Sequence, residues 1–157
     1  MLTLEREALA VMRTHAEEAF PEECCGVVFA SPDGQVVRRM TNVQNRLHAA
    51  DPVFHPRDAR TAYYFDDQEL FEVVKTGERP GWRIVLFYHS HPQHGAYFSA
   101  TDKARALWGG EIEMGPAHPG VAYLVVSVYE RAVRDVRAYV WDESARDFVE
   151  TPLGVGA

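Results

Sequence analysis

The run Trp82-Arg83-Ile84-Val85-Leu86-Phe87-Tyr88 limits the fold more than any other segment. It is almost continuously apolar, the composition of a strand covered on both faces, so it belongs inside a sheet with a layer on each side. Other elements follow from periodicity. Leu4, Ala8, Val11, Met12 and Ala19 recur at helical spacing behind Thr3, a candidate N-cap, and Pro21 ends the run, which predicts a helix over residues 3–19. Cys24–Ala30 and Gln35–Asn42 flank the turn Ser31-Pro32-Asp33-Gly34 and read as a hairpin. Residues 43–65 read as irregular, with one short strand near Thr61–Phe65. Asp66 caps a helix over 67–76 that ends at Gly77 and Pro80. A loop over Pro92–Phe98 precedes a second helix, from Ser99 to about Trp108, stopped by Gly109-Gly110. Val121–Tyr129 and Val133–Trp141 form a final strand pair before a short tail. Strands mixed with helices around one buried central strand predict an α/β sandwich, with all 157 residues in one domain.

Composition removes several classes of function. Hydrophobic residues at 46% and charged residues at 25% suit a globular chain. A net charge of −7 disfavours nucleic acid phosphates and anionic membranes as partners. Charges at Glu5, Arg6, Arg13, Glu17 and Glu18 interrupt the apolar positions of the first twenty residues, unlike a signal peptide, so a cytoplasmic location is expected. Cys24 and Cys25 are adjacent, a poor geometry for a disulfide, and read as buried strand thiols in a reducing compartment.

The densest set of metal-binding side chains is His89-Ser90-His91-Pro92 followed by Ser99-Ala100-Thr101-Asp102. Residues i and i+2 of a strand face the same way, so His89 and His91 can present two imidazoles to one ion. Asp102, in the first turn of the following helix, can supply a third ligand and leave a fourth tetrahedral position for water, the arrangement of catalytic rather than structural zinc. Simpler readings stand beside this one. A His-x-His pair also occurs as ordinary surface histidine, and Ser99-x-x-Asp102 alone is a helix-capping pattern. Capping and metal binding are compatible, because a fixed first turn aims Asp102.

His89-Ser90-His91-Pro92, six further residues, Ser99, two more and Asp102 together match the motif of the JAMM (MPN+) zinc metalloproteases, and Glu23-Cys24-Cys25-Gly26-Val27-Val28 resembles that family's upstream glutamate segment. The resemblance runs in element order from the first helix to about Trp141. It implies an α/β/α sandwich with a mixed central sheet, similar in architecture to cytidine deaminases. It also implies one zinc ion held by His89, His91 and Asp102, with Glu23 as general acid/base and Ser99 stabilising the oxyanion. The implied substrate is a peptide or isopeptide bond after the glycine tail of a ubiquitin-like or sulfur-carrier protein. Glu22 rivals Glu23 but lies one residue off the match. A non-catalytic scaffold of the same fold is the alternative reading, and a zinc deaminase lacks its His-x-Glu and Pro-Cys-x-x-Cys signature here. His55, His94 and His118 read as loop residues. Tyr97 and Phe98, with Tyr63-Tyr64-Phe65, could line a groove for an extended tail, and core packing explains the latter three equally well.

Overall fold

A computed structural model describes residues 1–157. Six strands form the main sheet: β2 (Cys25–Ser31), β3 (Gly34–Met40), β4 (Arg83–Pro92), β5 (Ala122–Tyr129), β6 (Ala132–Asp142) and β7 (Asp147–Thr151). Their order is β3-β2-β4-β5-β6-β7, with β4 and β5 parallel and the other neighbours antiparallel. The apolar run therefore lies in β4, near the middle of the sheet, as its composition requires.

Helix α1 (Arg6–Ala19) covers one face, where Met12 and Ala16 pack with Leu86, Tyr88, Leu124 and Val126. On the other face, α3 (Asp67–Gly77) and α4 (Ala100–Ala106) contribute Val73 and Ala106 to a core with Val27, Phe29, Phe87, Tyr123 and Val125. The result is the expected sandwich with a mixed central sheet. No helix is long and apolar enough to cross a membrane.

A bulge sets the phase of β4. Val28 pairs with Leu86 but Phe29 pairs with Ile84, so Val85 has no partner of its own. Val85 and Leu86 consequently both pack on the α1 side, and alternation resumes with Phe87 facing α3 and α4. One extra residue reverses the facing of everything downstream. Without it, His89 and His91 would point toward α1.

Three expectations need correction. Thr3 is not an N-cap: Leu2–Glu5 form a strand, β1, which pairs in parallel with β8 (Leu153–Gly156), and α1 starts only at Arg6. The tail is thus structured as β7 and β8, through a pairing partner about 150 residues away that local patterning does not reveal. Residues 43–65 contain a helix, α2 (Gln44–Ala50), and only an isolated bridge, Asn42 to Phe65, where a strand was expected. Helix α4 ends at Ala106 rather than near Trp108, and two 3-10 turns, Trp108–Gly110 and Ile112–Met114, follow.

Gly26 is required by close approach. It lies opposite Tyr88, and a Cβ at residue 26 would clash with the edge of the Tyr88 ring and its hydroxyl. The Tyr88 hydroxyl meets His15 Nδ1 at 2.7 Å, which ties the ring to α1. Gly26→Ala is expected to lower stability by about 1–3 kcal/mol through overpacking, measured as a reduced urea midpoint with an unchanged slope.

Candidate metal centre

His89 and His91 stand at the carboxyl end of β4, which continues through the histidines to Pro92 instead of stopping at Tyr88. Open α/β sheets place ligands outside the carboxyl ends of their strands. Both imidazoles are buried and face Asp102 across the start of α4. His89 Nε2 lies 3.1 Å from Asp102 Oδ1, His91 Nε2 lies 3.0 Å from Oδ2, and the two Nε2 atoms are 3.2 Å apart. With zinc–ligand bonds of about 2.0–2.1 Å, neighbouring ligand atoms of a tetrahedron are separated by about 3.3 Å. The three donors therefore fit one ion with little movement, and they are the only cluster of three or more close metal-binding side chains in the chain.

Protonation suits the same purpose. His91 Nδ1 lies 2.9 Å from the Gly95 carbonyl, which can only accept, so Nδ1 carries a proton and Nε2 is the nitrogen turned to the cluster. Burial lowers the pKa of His89 and keeps it neutral. Burial opposes ionisation of Asp102, but the two histidines facing it outweigh that and hold its pKa well below the usual carboxylate range. A neutral His89 imidazole and an ionised carboxylate, with His91 Nε2 beside them, are donors of the kind a divalent metal takes.

Local structure fixes each donor. Ser99 Oγ accepts from the Asp102 N–H at 3.0 Å, and Asp102 Oδ2 accepts from the Ser99 N–H at 3.0 Å, a reciprocal capping box. Capping and ligand geometry thus coexist in one side chain. The loop carrying Gly95 is held at both ends: the Gln93 N–H donates to Val128 O at 2.7 Å, and the Tyr139 hydroxyl donates to Ala96 O at 2.6 Å.

Glu23 lies just before β2, not within it. Pairing of Cys25 with His89 brings it toward the cluster. Its own N–H donates to Ala59 O at 2.7 Å, and its carbonyl accepts from Asn42 Nδ2 at 2.9 Å. The side chain is buried, and its Oε1, sealed from solvent, has no hydrogen-bond partner. Burial, assisted by the negative charge of Asp102, pushes its pKa up to about 9. Glu22, by contrast, is exposed and accepts from Asn45 Nδ2 at 2.7 Å.

Of the two residues expected to meet substrate, Tyr97 is 53% exposed and stands edge-on to His91. Phe98 does not fit that expectation. It is buried against Tyr123, Tyr139 and Phe148, because the residue after an outward-facing Tyr97 turns into the core. His55, His94 and His118 stand outside the cluster. A cavity of about 580 Å³ opens beside the site, lined among others by Tyr63, Tyr64, Phe65, Leu70 and Arg105. The Gly95 carbonyl could not be read from sequence, since every residue carries one. Tyr63 stood out only as part of an aromatic run.

Comparison with known proteins agrees with this geometry. The family model described as prokaryotic homologs of the JAB domain matches residues 5–142. The chain belongs to this family. It is 34% identical over 130 residues to a desampylase of Haloferax volcanii, covering 80% of each chain. It is 27% identical over 139 residues to a CysO-cysteine peptidase of Mycobacterium tuberculosis, covering 88% of this chain and 82% of that one. This prokaryotic JAB-domain protein is accordingly a hydrolase of the JAMM type. Two solved structures share its fold. One, from Desulfitobacterium hafniense, has a TM-score of 0.69 at 22% identity, covering 99% of this chain and 93% of the other. The second, a JAB1/MPN domain protein from Archaeoglobus fulgidus, has a TM-score of 0.51 at 14% identity and covers 100% of both.

The raised pKa of Glu23 has a consequence for stability. Between its ordinary pKa of 4.5 and about 9, the unfolded chain loses the Glu23 proton while the folded chain keeps it, so this residue destabilises the fold increasingly as pH rises. In chelator-treated protein, Glu23→Gln is expected to be the more stable form by about 1–3 kcal/mol at pH 7, with a gap that closes toward pH 4.5. Melting curves across that range provide the check.

Proposed function

We propose that this chain is a one-zinc metallopeptidase of 157 residues acting as a single domain. Its reaction is hydrolysis of the peptide or isopeptide bond after the C-terminal glycine tail of a ubiquitin-like or sulfur-carrier protein. The observation that carries this reading is the convergence of His89 Nε2, His91 Nε2 and an Asp102 carboxylate beside an unpartnered buried oxygen of Glu23. The names of the two relatives, a desampylase and a CysO-cysteine peptidase, support the substrate class. Two free, buried cysteines accord with a reducing cytoplasm.

His89, His91 and Asp102 would hold the zinc, which when bound supplies a Lewis acid to acidify a water molecule and polarise the scissile carbonyl. Glu23 takes the proton from the attacking water. As the C–N bond breaks, the same carboxyl delivers that proton to the departing amine, leaving a glycine carboxylate and a free amine. Without the metal Glu23 keeps its proton up to about pH 9; the positive charge of a bound cation would lower that pKa and free the carboxylate to accept the water proton. Ser99 Oγ already accepts from the Asp102 N–H, so its own O–H remains free to donate to the carbonyl oxygen as negative charge gathers there. Tyr97, exposed beside His91, offers an aromatic face to the substrate chain.

Fusions of glycine-tailed ubiquitin-like proteins to a reporter test the reading directly. Glu23→Gln should retain zinc and lose about 100-fold or more in kcat, whereas His89→Ala should lose zinc and activity together. Full activity in Glu23→Gln would overturn the assignment. For Tyr97→Ala, KM is expected to rise several-fold at nearly constant kcat, measured on the same fusions.

A further inference from the structure

The two histidines of the cluster are not held in the same way. His91 is oriented by a hydrogen bond from its Nδ1 to Gly95 O. His89 Nδ1 makes no hydrogen bond to another protein group, and its Nε2 faces only His91 and Asp102. Metal-binding histidines ordinarily have their second nitrogen fixed by an acceptor, which sets the ring plane. Something else must set that of His89.

Tyr63 lies against it. The two rings are stacked with centroids 4.5 Å apart and an interplanar angle of 25°, while the other rings near His89, those of His91 at 5.0 Å and Phe98 at 6.4 Å, are tilted. Tyr63 is itself buried and held on both sides. Asn42 accepts from the Tyr64 N–H at 3.1 Å and donates to Ala62 O at 3.2 Å, so the residues flanking Tyr63 share one anchor. That same Asn42 binds the Glu23 carbonyl. The Arg105 guanidinium, 5.9 Å from the Tyr63 ring centre and 4.7 Å from that of Tyr64, is tied to buried Gln44 at 3.3 Å.

We propose that Tyr63 is the positioning residue of the metal ligand His89, its ring performing by stacking what the Gly95 carbonyl performs for His91 by hydrogen bonding. A stacked ring restricts rotation of the imidazole about χ2 without competing for its lone pair. The ring matters and the hydroxyl does not, because the contact is face to face. This inference rests on the reading of His89 as a ligand.

Transfer of zinc from the full-length, zinc-loaded protein to a chromophoric chelator measures the effect without any substrate. Tyr63→Phe should release zinc at the parent rate, and Tyr63→Leu roughly tenfold faster. Phe65→Leu, which removes a neighbouring ring that touches Tyr63 but not the ligands, controls for general loosening and should stay near the parent. Should Tyr63→Leu fail to fold, Tyr63→Met, which fills space without a ring plane, carries the same comparison. Release from folded Tyr63→Leu or Tyr63→Met no faster than from Phe65→Leu overturns the inference alone. A parent protein that binds no zinc overturns the metal reading and this inference with it.

Discussion

Two imidazoles and a carboxylate within about 3 Å of one another, all nearly shielded from water, would be unfavourable anywhere they lacked a common purpose. Three buried donors aimed at a single point each displace apolar packing, and their lone pairs and charge need a partner. Much of the surrounding structure acts to hold them there. Strand β4 sits between β2 and β5, so the histidines stand on an interior strand, with His89 paired on both sides and His91 paired with β5. The capping box of α4 fixes Asp102, and the loop between them is tied down at Gln93 and Ala96.

Asp102 combines two roles that usually belong to different residues. As the N3 residue of a capping box it stabilises the first turn of α4, and the same oxygen that accepts the Ser99 N–H also faces His91. Helix formation and donor placement are thereby the same event. Ser99 is fixed as part of it. This economy explains why a sequence pattern typical of helix capping and one typical of metal binding occupy the same four residues.

The segment between β3 and α3 contributes more than its irregular composition suggests. Asn42 connects Glu23, Ala62, Tyr64 and Gln44, and Ala59 accepts the Glu23 N–H. A stretch with little regular structure thus supports the residue proposed as acid/base on one side and the ring stacked on His89 on the other. Its order comes from side-chain bonds to the backbone of distant residues. Such bonds have no periodicity, so the sequence left this region largely unread, including the helix at Gln44–Ala50.

The sequence by itself determined the central apolar strand, the hairpin, the helix capped by Asp66 and the compact spacing of His89, His91, Ser99 and Asp102. Each of these depends on local chemistry: burial period, turn residues and capping groups within a few positions of one another. Tertiary structure decided the rest. It placed Leu2–Glu5 in a strand because residues 153–156 lie alongside, and it buried Phe98 while leaving Tyr97 at the surface. It also decided which way the histidines point. Alternation makes His89 and His91 share a face, but the bulge at Val85 selects the face that meets α4, and that bulge exists only in the pairing of β4 with β2.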